Sequence, residues 1–115
     1  MKYRFFKTAD AVQDEIWDYT CEQWGEEQAK KYINGLHKYI AELADKKTPW
    51  KSLPQKLVVP SDLKIKVYFS QYENHYIFFR ELPDGKIGVM SILHKKMDLP
   101  VRLASDLNKI KSYDE

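Results

Sequence analysis

Three observations predict an α+β fold for this chain. Two adjoining stretches carry helical periodicity, three β-rich runs crowd together after them, and an Asp-Gly pair joins the last two runs. The expected layout is an N-terminal strand, an antiparallel helical hairpin packed on one face of a C-terminal antiparallel sheet, and a short C-terminal helix. The chain's 115 residues suit one domain, residues 1–115, whose core needs neither disulfide nor metal.

Taken in order, Lys2–Lys7 alternates its side chains as a short strand does. Thr8 is placed to cap the helix that follows, and Asp10 in its first turn suits the helix dipole. Over Asp10–Trp24, the residues Ala9, Val12, Ile16, Trp17, Tyr19, Thr20 and Trp24 share one arc with the acids opposite. Gly25 is placed to end that helix. In Glu26–Lys46, the residues Ala29, Ile33, Leu36, Ile40, Leu43 and Ala44 form a narrow apolar stripe flanked by Tyr32 and Tyr39. Gly35 interrupts it at a cost of about 1 kcal/mol relative to alanine. The short link at Gly25 makes the two helices an antiparallel hairpin.

Lys47–Asp62 is punctuated by Pro49, Pro54 and Pro60, with a short strand expected at Leu57–Val59 and satellite core at Trp50 and Leu53. The runs Ile65–Ser70, His75–Arg80 and Ile87–Leu93 follow as strands, and Leu82-Pro83-Asp84-Gly85 between the last two is a hairpin signal. After Pro100, Leu103, Leu107 and Ile110 recur at helical spacing, so Val101–Lys111 reads as a closing helix.

Composition narrows the function classes. The chain is 43% hydrophobic and 31% charged, as soluble globular proteins are. No apolar run approaches the roughly 18–20 residues that span a bilayer, and Met1–Lys7 lacks a signal-peptide core, so a cytoplasmic location is expected. The single cysteine, Cys21, excludes an internal disulfide framework, and its acidic neighbours disfavour a catalytic thiolate. There is no Gly-rich phosphate loop, paired-histidine zinc helix or nucleophile elbow. His37, His75 and His94 are too dispersed for a metal site, so no metal or cofactor is expected.

Net charge is only +2, but it is unevenly spread. Seven acids and no Lys or Arg fall between Asp10 and Glu27, whereas residues 51–115 carry eleven Lys and Arg against eight Asp and Glu. The acidic first helix and the modest total argue against direct DNA binding by this chain alone.

Period-two alternation sorts Ile65, Val67, Phe69, Ile77, Phe79, Ile87 and Val89 onto the sheet face that meets the helical hairpin. The opposite face then carries Lys64, Lys66, Tyr68, Tyr76, Phe78, Arg80, Met90, Ile92 and His94, a mixture of cations and apolar groups. Such a surface marks a partner site unless the closing helix folds over it. The expectation is that a partner segment covers much of it.

Three segments carry a resemblance to a known family. They are Tyr19 with Trp24-Gly25, Gln28-Ala29 and Tyr32; the strand His75-Tyr76-Ile77-Phe78-Phe79-Arg80; and the elbow Ile92-Leu93-His94-Lys95-Lys96-Met97-Asp98. In this order and spacing, over roughly Asp10 to Asp98, the chain resembles the ParE branch of the RelE/ParE toxin superfamily. That resemblance implies the toxin of a type II toxin–antitoxin pair, which blocks replication by poisoning DNA gyrase and has no catalytic residue of its own. It also implies a cognate ParD-like antitoxin whose flexible C-terminal segment wraps the toxin. Whether the assembly is a homodimer or a toxin–antitoxin hetero-oligomer stays open. By the same analogy Arg80, His94, Lys95, Lys96, Met97 and Asp98 form the toxicity surface, and Tyr68, Tyr76, Phe78, Met90, Ile92, Trp17 and Trp24 receive the antitoxin. The alternative within the superfamily is a RelE-type ribosome-dependent mRNA endonuclease, which would use Lys64, Lys66, Arg80 and His94. The sequence departs from the ParE pattern at Leu63-Lys64, where that family often has Leu-Arg.

Overall fold

A computed structural model describes residues 2–54, 57 and 65–113. Strand β1 (Tyr3–Phe5) leads into helices α1 (Lys7–Trp24) and α2 (Glu26–Ala44). A two-residue strand β2 (Lys51–Ser52), three long strands β3 (Tyr68–Tyr72), β4 (His75–Glu81) and β5 (Ile87–His94), and helix α3 (Leu99–Tyr113) follow. The sheet order is β1-β5-β4-β3-β2, antiparallel throughout except that β1 runs parallel to β5. The sheet is therefore mixed, with the first strand of the chain at its edge. The α1–α2 hairpin covers one face and α3 the other.

Gly25 makes the hairpin tight. At φ 92° it takes a backbone conformation that a side chain disfavours, donates its N–H to the Cys21 carbonyl and accepts from Ala29 N–H, so one residue ends α1 and starts α2. The β4–β5 turn forms as the Asp-Gly pair predicts: Leu82 N–H bonds Lys86 O, Gly85 N–H bonds Leu82 O, and Asp84 Oδ1 accepts from Lys86 N–H.

Several local expectations change. No side chain caps α1; the Thr8 hydroxyl donates instead to the Met90 carbonyl at 2.6 Å. The strand expected at Leu57–Val59 lies outside the described residues apart from Leu57, and β3 instead pairs with β2 at Lys51–Ser52. His37 is more than a helix-flank residue. It bonds Tyr3 Oη at 2.9 Å and Gln13 at 2.6 Å and stacks on Phe5 at 5.3 Å, fastening β1 to both helices.

The sheet faces sort differently from the simple alternation, for two reasons. In β5, Phe78 pairs with Ser91 and Phe79 with Val89, which leaves Met90 as a bulge. Beyond it the parity inverts: Met90 and Leu93 pack with α3, and Ile92 turns to the helical hairpin. The Thr8 hydroxyl satisfies the Met90 carbonyl at the bulge, and Ser91 Oγ donates to the Asp106 carboxylate on α3 at 2.6 Å. In and just before β3, Tyr68 packs on the α2 side while Ile65, Val67 and Phe69 pack on the α3 side, opposite to expectation, and Tyr72 joins Tyr68. Both faces are covered, so apolar character no longer tells one from the other.

The expectation of an open cationic platform is thereby corrected. Leu103, Leu107 and Ile110 of α3 close over Phe78, Met90 and Leu93, so this face is core. Three apolar residues at helical spacing over a largely apolar strand surface meet their nearest partner within the chain, and burial of both sides drives that closure.

The cost assigned to Gly35 has a local explanation. A Cβ there would lie 2.1 Å from Tyr72 Oη, whose ring is held between Tyr32 and Tyr39 at centroid distances of 5.4 Å each. Helix propensity alone favours Gly35→Ala by about 1 kcal/mol, but overpacking costs about 1–3 kcal/mol. We expect a net loss of up to about 2 kcal/mol in urea unfolding, smaller when Tyr72→Phe is present. A stabilised single variant would show that Tyr72 moves aside freely.

Candidate functional site

Past the end of the sheet, the helical hairpin overhangs the β3–β4 turn and the elbow that follows β5. The wedge between them is a groove of about 1050 Å³. Val12 and Ile16 supply its apolar lining above the buried Ile92, and Tyr19, Trp24 and Met97 stand along it. Tyr19 is 62% exposed, Trp24 73% and Met97 38%, and Val101 is the only other large apolar side chain so exposed among the described residues. Tyr19 and Trp24 continue the core-facing stripe of α1 beyond the reach of the sheet, which is why no core receives them. Glu15, Lys31, Glu73 and Lys96 provide its charge.

At one end of the groove Tyr32, His75 and His94 form a polar cluster. Tyr32 Oη bonds His75 Nδ1 at 2.6 Å, and the Asn74 backbone N–H donates to the same oxygen. The arrangement that satisfies all three groups has the phenol donating to Nδ1 and the His75 proton on Nε2. Lys96 N–H donates to His94 Nδ1 at 3.1 Å and fixes the same tautomer there. The two imidazole rings stand 5.1 Å apart at 86°. Burial pushes the Tyr32 hydroxyl up to about 12 despite the opposing Asn74 bond. Burial first, and then the neighbouring His94, brings His75 down to about 4.

That depression has a consequence for stability. His75 is neutral in the fold but titrates near 6.5 when unfolded, so its contribution is present above that pH and is lost as pH falls towards 4. Its partial solvent contact limits the effect to about 1–2 kcal/mol. We expect His75→Phe to flatten the decline of thermal midpoint between pH 6.5 and pH 4 relative to the unmodified protein. Parallel curves for the two proteins would remove His75 as the cause.

Of the residues expected at the antitoxin surface, only Trp24 and Ile92 line the groove, and Ile92 has no exposed area. Phe78 and Met90 are likewise wholly buried and offer nothing to a partner. Tyr68 packs against Trp50 at 5.1 Å, Tyr76 belongs to the α3 side, and Trp17 is half-buried away from the groove. Of the expected toxicity residues, His94, Lys96 and Met97 are at the groove and Lys95 is exposed beside them. Asp98 starts α3, accepting Arg102 N–H on its carbonyl at 3.0 Å.

Arg80 stands apart. His75 pairs with His94 whereas Arg80 pairs with Gly88, which sets Arg80 and His94 roughly 17 Å apart along the strand. Strand alternation also turns Arg80 to the α3 side. Lys66 is exposed with its ammonium over the Tyr68 ring at 5.2 Å, and Lys64 lies outside the described residues. Lys66, Arg80 and His94 therefore do not form one constellation.

Sequence reasoning missed Tyr32, Tyr72 and His75 as groove residues. A tyrosine at the start of α2 and a histidine at the start of β4 signal the site only once the hairpin is known to overhang the β3–β4 turn. Among the described residues no group of three or more His, Cys, Asp or Glu could hold a metal ion, and no helix is long and apolar enough to cross a membrane.

Residues 3–99 match the family described as "ParE toxin of type II toxin-antitoxin system, parDE", a match that stops where α3 begins. The chain is similar to "Toxin ParE" of Escherichia coli, 34% identical over 105 residues, covering 90% of this chain and 95% of that one. It is similar also to "Toxin ParE1" of Mycobacterium tuberculosis, 29% identical over 98 residues, covering 85% and 93% respectively.

Proposed function

Because the chain belongs to the ParE toxin family of type II toxin–antitoxin systems, we propose that it poisons DNA gyrase in the cytoplasm and that a ParD-like antitoxin silences it by laying a flexible C-terminal segment into the groove. One observation carries the antitoxin half: Tyr19, Trp24 and Met97, three of the four exposed large apolar side chains among the described residues, line one cleft. Apolar surface gathered in a concave site and rimmed by charge is what a helix-in-groove partner recognises.

The gyrase half rests on kinship. The surface proposed for toxicity is the elbow of His94, Lys95, Lys96, Met97 and Asp98, with Arg80 as a separate contact. His94, Lys96 and Met97 belong to both elbow and groove, so a segment seated in the groove covers part of the toxic surface. Neutralisation is then occlusion. The ribosomal nuclease reading draws no support from the dispersed Lys66, Arg80 and His94.

A supercoiling and cleavage assay with purified gyrase tests the target. The toxin should inhibit supercoiling or accumulate cleaved DNA, and added antitoxin should reverse either effect. Unaffected gyrase, together with codon-linked mRNA cuts on translating ribosomes, would transfer the function to the nuclease reading.

A further inference from the structure

The groove has an end that apolar packing does not explain. Its two imidazoles are both held with Nδ1 as acceptor, His75 by the Tyr32 hydroxyl and His94 by the Lys96 backbone N–H. Each therefore carries its proton on Nε2, and neither Nε2 has a hydrogen-bond partner among the described residues. No buried side-chain nitrogen or oxygen among those residues lacks a partner, so the free Nε2 of His75 keeps contact with solvent. Two imidazoles with rings 5.1 Å apart thus line a cleft whose other surface is partly apolar and partly charged. Lys31 and Lys96 line the same cleft, and neither is in an ion pair among the described residues.

We infer that this histidine end reads a carboxylate, from an Asp or Glu side chain on the antitoxin segment that occupies the groove. The inference rests on the groove reading above and adds to it the chemistry that sets register. A carboxylate suits the site better than a carbonyl for two reasons. It presents two acceptor oxygens to two donors, and it is drawn by the two ammonium groups. Glu15 on α1 lines the groove as well and repels an acid placed beside it, whereas Glu73 lies at the histidine end itself and is an acid that the incoming carboxylate has to avoid. The apolar side chains of the segment then fall over Ile16 and Trp24. A slip by one residue would remove the acid from its donors, and the donors would lose their only acceptor on binding.

The hydroxyl of Tyr32 is a positioning group in this scheme. It does not touch the partner; it fixes which nitrogen of His75 carries the proton.

The test uses the full-length toxin with synthetic peptides covering the C-terminal segment of its cognate antitoxin. Each Asp is changed to Asn and each Glu to Gln in turn, with the peptide C-terminus amidated to exclude a terminal carboxylate. One acid-to-amide change should weaken binding about 10–30-fold, and the same change should have under 3-fold effect on toxin carrying His94→Ala with His75→Phe. Tyr32→Phe should reduce the preference for acid over amide while leaving the apolar contribution intact. Thermal melts establish that each variant is folded. If every acid-to-amide change acts equally on both toxins, the carboxylate inference is wrong even though the groove binds the segment. If Trp24→Ala also leaves peptide binding unchanged, the groove reading itself has failed.

Discussion

Cutting Leu103 and Leu107 together to alanine should destabilise the protein by about 5 kcal/mol or more. Each is wholly buried against the β4–β5 surface, and removal of a buried leucine typically costs about 2–5 kcal/mol. The two contact the same cluster, so their losses will not add perfectly. The total rivals the net stability of a small domain, about 5–15 kcal/mol. The expected readings are a large drop in the urea midpoint and new binding of an apolar dye to the uncovered Phe78, Met90 and Leu93. Val101→Ala on the exposed side of the same helix should change stability by less than about 0.5 kcal/mol. An unchanged midpoint in the double variant would mean that α3 does not hold this face shut, and the open platform would return.

The second large effect is on binding. Trp24→Ala should weaken the antitoxin complex by about 2–3 kcal/mol, roughly 30- to 150-fold, because a tryptophan at the centre of a contact commonly dominates it. Its own fold should hardly notice, since Trp24 is 73% exposed and sits at the last turn of α1. Calorimetric titration gives the affinity and a thermal melt gives the control. Lost affinity with an unmoved melting point assigns Trp24 to the interface. Lost stability with unmoved affinity would make it a packing residue of the hairpin.

The sequence pattern made the architecture legible because its strongest signals are local. A helical stripe from Ala29 to Leu43, a glycine between two helices and Asp84-Gly85 between two strands each act through their own neighbours. All three survive in the structure. What alternation could not reveal is the bulge at Met90, because it depends on the pairing partner Phe78 and not on residues 87–94 alone. A single extra residue there moved Ile92 from a supposed surface into the core. Tyr68 misled for a related reason: it looks like the polar side of a strand until the helical hairpin is laid over it. The candidate site was half visible. The elbow from His94 to Met97 stands out as sequence, whereas the pairing of His75 with Tyr32 needs the overhang of one element across another.

Strand β1 carries one more implication. Tyr3 lies beside Ile87 and Phe5 beside Val89, so β1 completes its hydrogen bonding only with β5, the last strand among the described residues to emerge from the ribosome. Until then the nascent polypeptide cannot close its sheet, and folding has to wait on a contact of high sequence separation, which slows it. Making β1 thus precedes a folded toxin by the time needed to synthesise everything up to β5.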